Sequence, residues 1–536
     1  MSRCAPDGGR TVARNMEDLV VTWLAQQDVK AYLVGGCVRD RLLGRPVYDL
    51  DVATAGDGLR LARRLANHFG GAYYPLDEAR GTGRAILHGE GGRRVVVDIA
   101  PFRSPPPSSL GGPAAGQVPS GHSLAIDLAD RDFTVNALAA DVCTPDHVID
   151  RHEGLAHLQA RLIHPVSEAS IRNDPLRALR ALRLAAELGF ALSPETETLI
   201  RRDGAALSRV SSERIRDELA RLLALPQAAP YLGRLDDLNL LTIILPELEP
   251  LRGLIQPLPH SLDALAHSLE TVRALEAILA RRQEASTPGG EQQAMPNAQS
   301  PISDAQLDIL APFADRLQAH LSQMLSESRP RLVTLKLAAL LHDTGKPAAR
   351  TLDEDGQIHF LGHHREGTRI TGKVLRRLRF TNAEVHLGET IVRQHMRPLL
   401  LAKQQSVSSR AVYRFFRDTG DAGVDVLLHA LADHQATYAS EGRWPRGTAP
   451  PDLNDRWPTL LALTARMLAD YWERHSERVD PPPLVDGYDL LREFDLQPGP
   501  RIGHLLEAVR EAQVSGQVRT HDEALALVLA HLSKMH

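Results

Sequence analysis

LVGGCVRDRLLG at residues 33–44, followed by YDLDVAT at 48–54, decides how this chain is read. The apolar run Ala31 to Val34 reads as a short strand that passes through Gly35-Gly36 into a helical segment. Backbone NH groups and a helix N-terminus can face an anion at such a turn, and Arg39 adds positive charge. Taken alone, a Gly-Gly pair is an ordinary tight turn. In the second stretch Asp49 and Asp51 stand at i and i+2 of an extended run. Both carboxylates then point to one side of the strand, about 7 Å apart. That spacing suits two hard divalent cations such as Mg²⁺, which prefer carboxylate and phosphate oxygens and can align a triphosphate. An isolated pair of this kind is otherwise a solvated strand face. Its position after the Gly-Gly turn and Arg39 favours the metal reading. Asp98, in VVVDIAP, alternates with apolar residues and is either a third carboxylate near the metals or a plainly exposed strand-end Asp.

Outward from this segment, short β-rich runs (AYLV, YDLDVAT, AILH, RRVVVDIAP, HVID) alternate with helical patterns from Ala31 to about Asp150, which predicts a compact α/β head with a small mixed sheet. From about Ile171 onward leucine and alanine recur at helical spacing, and SSERIRDELARLLAL offers Ser212 as an N-cap. The stretches 104–123 and 283–303 are rich in Pro, Gly, Ser or Gln and read as mobile loops. With 536 residues and 43% hydrophobic content, the chain has material for two to four folding units. The expected division is a head at 1–150, a helical neck at 151–250, a histidine-rich helical domain at 251–440 and a helical tail at 441–536. Three cysteines, Cys4, Cys37 and Cys143, lack the number and spacing of a disulfide framework or thiolate zinc site, which suits a reducing compartment. No membrane span or signal peptide is recognised, so a cytoplasmic location is expected. A formal charge of −5 supplies no global basic field, so a nucleic-acid partner would need a local patch.

Two further motifs follow the head strands. In RDFTVNAL at 131–138, Asp132 is an acceptor that either takes a hydrogen bond from a ligand hydroxyl or caps the following turn. In NDPLR at 173–177, a helix is predicted to open at Pro175 with Asp174 as N-cap, which leaves Asp174 and Arg177 on neighbouring azimuths. One planar partner is within reach of both side chains. Cytosine and adenine each show an amino donor beside a ring-nitrogen acceptor, so an acceptor Asp with a donor Arg fits C and A and rejects U and G. Arg180, Arg183, Arg201, Arg202 and Arg214 are a candidate phosphate-binding stripe, or simply solvated helix charges.

In this order the motifs resemble the bacterial tRNA nucleotidyltransferase and poly(A) polymerase family, the class that includes CCA-adding enzymes. The resemblance implies Asp49 and Asp51 as catalytic metal ligands, and Gly35, Gly36 and Arg39 at the triphosphate. It implies Arg131, Asp132 and Asn136 as nucleotide-binding, with Asp132 accepting a hydrogen bond from the ribose, and Asp174 and Arg177 as a protein template for the incoming base. Arg180 and Arg183 lie in the family's neck. At Asn173 the chain departs from the family, where Glu is usual, and this puts in question the hydrogen bond that orients the template. Loop 104–123 also lacks the polar, basic character associated with the family's flexible loop, which leaves CC-only addition open.

Residues 259–435 hold an unusual share of the histidines. Helix LAALLHDTGKP ends on the adjacent pair His342-Asp343, and His267, His363, His364, His395 and Asp433 lie on either side in sequence. Imidazole and carboxylate together suit Ni²⁺, Mn²⁺, Co²⁺ or Fe²⁺ and phosphoester hydrolysis. The order H…HD…D resembles the HD-family phosphohydrolases, which implies His267, His342, Asp343 and Asp433 as the metal set, with His363 and His395 as neighbours. The whole resemblance implies addition of CMP and AMP, from CTP and ATP, to tRNA 3′ ends. Alternatives are CC-only addition, poly(A) tailing, or an HD phosphohydrolase whose head only binds.

Overall fold

The computed structural model describes residues 15–89, 92–102, 123–285, 307–439 and 451–533. Of the two stretches read as mobile loops, 104–122 and 286–303 lie outside the described residues. The chain divides into two compact units, Met1–Val210 with Leu238–Leu240 and Ser211–Asp237 with Leu241–His536.

The first unit is built on a seven-stranded mixed sheet ordered β3-β4-β5-β2-β1-β6-β7. Its strands are β1 (Ala31–Val34), β2 (Asp49–Thr54), β3 (Ala72–Asp77), β4 (Thr82–His88), β5 (Arg94–Pro101), β6 (Leu138–Asp141) and β7 (Thr144–Asp150). Only the central β2–β5 pairing in this sheet is parallel. Two of these strands escape the sequence pattern: AYYPLD at β3 contains a proline and runs largely exposed along the sheet edge, whereas LAAD at β6 is alanine-rich. Helices α1 (Met16–Ala25), α2 (Gly36–Leu42) and α3 (Gly58–Phe69) belong to the same unit. Val20 and Leu24 of α1, Leu61 and Leu65 of α3, and Leu50, Val52, Val97 and Ile99 of the sheet form one buried cluster. Because strand side chains alternate, burying Leu50 and Val52 sends Asp49 and Asp51 to the opposite, open face.

Beyond the sheet, α4 (Leu124–Ala129), α5 (Gly154–Gln159) and α6 (Ser170–Asn173) lead to α7 (Leu176–Leu188). The predicted start of this helix shifts by one residue: Pro175 is the N-cap, while Asp174 is extended and its carboxylate accepts from the Leu176 NH at 3.3 Å. Likewise the helix Ser212–Ala224 is capped by Ser211, not Ser212. Strands do not vanish entirely after the head, since Leu162–Ile163 pairs with Ala191–Leu192 and Thr351–Leu352 with Ile358–His359. Cys37 is a free buried thiol.

The second unit is helical, and two of its helices are enclosed by protein on nearly all sides: Arg331–Leu341 and Gly423–Thr437. A helix so placed can carry charge only if each charge finds a partner. Arg331 therefore pairs with Asp425 at 2.8 Å and Lys336 with Glu276 at 2.7 Å. Nearby, Arg329 makes two hydrogen bonds of 2.7 and 2.9 Å to Glu384, which is fully buried and also closes a capping box with Thr381. Replacing Glu384 by Ala leaves the buried Arg329 with only the half-exposed Asp217 carboxylate 3.9 Å away, removes the capping box, and is expected to cost about 3 kcal/mol of stability. Urea unfolding followed by circular dichroism measures it; a loss below about 1 kcal/mol contradicts this account. The tail residues Val485, Leu490, Leu505, Val509, Ala524 and Val528 form their own small core.

Candidate active site and metal centre

Strand register assembles the head site. Parallel pairing places Asp51 directly beside Asp98, and the antiparallel β4–β5 pairing places Asp98 beside Arg84. A row Asp51, Asp98, Arg84 thus crosses three adjacent strands on the open face, with Asp49 two residues from Asp51. Arg84 holds Asp98 through two bonds of 2.7 Å each. Asp98 is therefore a neighbour of the Asp51 carboxylate, and Arg84, which the sequence reading passed over, is its counter-charge. Although part of its surface reaches solvent, Asp51 is closely surrounded by protein. Burial pushes its carboxyl up to about 6, opposed by Arg131 and reinforced by the carboxylates of Asp98 and Asp49. A carboxylate whose charge is opposed by burial and by neighbouring carboxylates is the electrostatic setting in which a divalent cation binds well.

The turn before α2 closes against the same place. Gly35 adopts φ +80°, and a Cβ there would stand 2.4 Å from the Arg131 guanidinium and 3.5 Å from Asp51 Oδ2. Glycine is required both by this backbone conformation and by the close approach. Arg131 reaches Asp127 at 3.1 Å and the Asn136 carbonyl at 3.3 Å. Arg39 is 5% exposed; it makes a bidentate pair with Asp40 and donates to Asn136 Oδ1 at 2.6 Å. Asn136 in turn donates to Asp132 Oδ1 at 3.0 Å, and Arg180 approaches Asp132 Oδ2 at 3.3 Å. Despite burial, the Arg180 cation, the Asn136 amide and the Phe133 NH hold Asp132 below the usual carboxylate range. The residues of the RDF segment, the Gly-Gly turn and α7 thereby form one polar chain, Asp40–Arg39–Asn136–Asp132–Arg180.

Arg177 donates to the backbone carbonyls of Asp130 at 2.6 Å and Arg131 at 3.3 Å, and to Ser170 Oγ at 3.1 Å. It ties α7 to the RDF segment, one turn from Asp174. Arg183 pairs with Glu187 on its own helix. Arg202 pairs with Asp203 and Glu168, so its charge is locally balanced.

In the second unit the histidines converge. His267, His342 and Asp433 bring three ligand atoms within 4.8 Å of one another, and Asp343, His363 and His395 do the same. Asp343 joins the groups: Oδ2 lies 3.2 Å from His342 Nε2 and 3.7 Å from His267 Nε2, and Oδ1 lies 3.6 Å from His363 Nε2. His363 and His395, treated from sequence as neighbours, belong to a second triad. In His342, His363 and His395 the Nδ1 atoms face the carbonyls of Ala339, Phe360 and Val392 at 2.7–2.8 Å. With each Nδ1 donating to its carbonyl, Nε2 is the ring atom turned inward, the orientation of metal-ligating imidazoles. Against burial, the carboxylates of Asp343 and Asp433 hold a proton on His342 up to about 10. That balance of charge favours a cation at this position, and among the described residues the buried Asp343 Oδ2 and His267 Nδ1 have no hydrogen-bond partner. His429, one turn before Asp433, was missed; it is fully buried 4.9 Å from the His342 ring, and neither of its ring nitrogens has a partner. Only its i−4 spacing from Asp433 hinted at it.

Comparison with known proteins follows the same division. Residues 31–164 match the poly A polymerase head domain, 309–421 the HD domain, and 477–529 a domain of tRNA nucleotidyltransferases. The A-adding tRNA nucleotidyltransferase of Deinococcus radiodurans is 34% identical over 93% of this chain and 94% of its own length. This chain belongs to the bacterial tRNA nucleotidyltransferases. The CC-adding tRNA nucleotidyltransferase of Thermus thermophilus is 31% identical over 93% of both chains. In fold, this tRNA nucleotidyltransferase is similar to a CCA-adding enzyme solved with ATP, with a TM-score of 0.58 at 19% identity over 96% of this chain and 94% of the other. The Thermotoga maritima CCA-adding enzyme complexed with tRNA gives a TM-score of 0.54 at 18% identity over 96% and 94%. As a nucleotidyltransferase the enzyme uses divalent metal, and its head carboxylates have the chemistry to hold it. Among the described residues no helix is long and apolar enough to cross a membrane.

Proposed function

We propose that this tRNA nucleotidyltransferase transfers CMP and AMP from CTP and ATP to the 3′ end of tRNA in the cytoplasm, at the open face of the head sheet. The observation that carries this reading is the convergence of Asp49, Asp51 and Asp98 beside the Gly35 turn and Arg131. Asp49 and Asp51 would hold Mg²⁺, which when bound activates the attacking hydroxyl and offsets the charge of departing pyrophosphate. Gly36 offers its backbone NH for the triphosphate at the start of α2, whereas the Gly35 NH donates to the Leu138 carbonyl at 3.0 Å and Gly35 serves by its open φ and close approach. Arg39 acts through Asn136, which together with Arg180 keeps Asp132 ionised as an acceptor for the ribose hydroxyl.

Asp174 and Arg177 read the base edge, with Arg177 braced by its bonds to the RDF segment. Arg177→Ala removes the donor that pairs with the ring nitrogen of C or A. Leaving a polar partner unmatched costs about 1–3 kcal/mol, so discrimination against UTP and GTP is expected to fall about 10- to 100-fold. Competing labelled NTPs on tRNA lacking its terminal residues measures this ratio, and an unchanged ratio removes the template role.

A second reading has its own support: the relatives from Deinococcus radiodurans and Thermus thermophilus, which match over 93% of this chain, are A-adding and CC-adding, whereas the multifunctional CCA protein of Xylella fastidiosa matches over 42% of it. This enzyme would then complete part of the CCA end. End-sequencing of products from tRNAs lacking CCA or only the final A, each with CTP, ATP or both, separates the readings. In the second unit the two triads would hold transition-metal ions such as Mn²⁺, Ni²⁺, Co²⁺ or Fe²⁺ for phosphoester hydrolysis.

A further inference from the structure

We propose that Lys346 is the phosphate anchor of the histidine-lined site, held on Asp343 until metal ions take over that carboxylate; the inference rests on reading the site as a metal phosphohydrolase. Lys346 is 7% exposed, and its Nζ lies 2.6 Å from Asp343 Oδ2. Despite that distance, Oδ2 has no hydrogen bond of good geometry, so the contact is mainly a Coulombic one between buried charges. The ammonium also donates to Gln256 Oε1 and lies 5.6 Å from the Phe360 ring centroid. Neither contact involves Asp343, so the ammonium would not be left without partners if that carboxylate turned to a metal.

The same residue borders a cavity of about 720 Å³ whose wall includes Asp343, His363, His395 and Asp433. That volume is the size of an ordinary small-molecule site. Lys403 and Arg456 also line it, so the cavity is furnished for an anion next to the ligand triads. Two cations cannot share one buried carboxylate oxygen at contact distance without strong repulsion. A divalent ion on Asp343 would therefore displace the ammonium, and its flexible four-carbon stem lets Nζ move toward the cavity with no change in backbone. A phosphate group in the cavity is the acceptor that such a displaced ammonium would meet. Lys346 is thus a placeholder for metal charge first and a substrate anchor second, which couples metal loading to phosphate binding.

The test uses the full chain carrying Asp49→Ala and Asp51→Ala, so that only the second unit takes up Mn²⁺. Isothermal titration measures Mn²⁺ binding and then binding of inorganic phosphate to the Mn²⁺-loaded protein. Lys346→Gln is expected to bind Mn²⁺ at least as tightly as the parent and phosphate about tenfold or more weakly, with Lys346→Arg recovering most of the loss. Phosphate affinity unchanged in Lys346→Gln while Mn²⁺ still binds overturns the anchor role but leaves the metal reading intact. Failure of the parent to bind Mn²⁺ sinks the metal reading and the proposal with it. Gln256→Leu, which leaves every charge in place, guards against a folding defect in Lys346→Gln: it is expected to weaken phosphate binding to a smaller degree, and no weakening counts against the proposal.

Discussion

Asp51→Asn is expected to lower nucleotide transfer to tRNA by about 10³-fold or more, while tRNA affinity stays within about twofold. Amide and carboxylate have nearly the same shape, so the strand and its packing persist, but the amide carries no charge to hold a divalent ion. Asp51 is next to Asp98 across the parallel pairing and beside Gly35 and Arg131, so no other carboxylate can take its place without moving a strand. Removing one of three crowded carboxylates also relieves repulsion, so thermal stability should hold or rise. Single-turnover incorporation of labelled CTP or ATP, with filter binding of tRNA alongside, measures both quantities. Retained transfer would show that the head only binds and that the chemistry lies elsewhere in the chain.

The second large effect is expected from Asp343→Asn in the second unit. This carboxylate lies 2.6–3.7 Å from His342, His267, His363 and Lys346, so it belongs to one triad and reaches two histidines of the other. Its loss should reduce Mn²⁺ uptake by the second unit and lower any phosphoesterase activity on a small phosphomonoester by about 100-fold or more. It also strands the buried Lys346 without its Asp343 counter-charge and leaves the His342 proton with Asp433 alone, so the melting temperature should fall. CTP and ATP incorporation at the head should be unaffected. Metal content measured by atomic absorption, together with the melting curve, tests the site even if no phosphoester substrate is turned over. Full metal content in Asp343→Asn would mean that the triads are not the binding site.

Local periodicity made much of this molecule legible from its residues. Alternation along YDLDVAT dictates that Asp49 and Asp51 share a face once Leu50 and Val52 are buried, because the two-residue repeat of a strand is a property of neighbouring residues. A helix of apolar residues running into His342-Asp343 likewise announces a buried imidazole and carboxylate side by side. The helix starts were placed one residue off at Asp174 and Ser212, since a cap is settled by backbone angles more than by residue type.

Tertiary structure alone decided what meets what. Asp98 joins Asp51, and Arg84 joins Asp98, through pairings whose register the chain does not display. The braces that position Arg39 and Arg177, Asn136 for one and the RDF carbonyls for the other, come from segments far along the chain. His363, His395 and His429 reach the HD pair from helices far apart in sequence. Secondary structure repeats over two to four residues and so is encoded by near neighbours. Strand register and the convergence of side chains depend on how separate elements pack, and no short window of sequence contains that information.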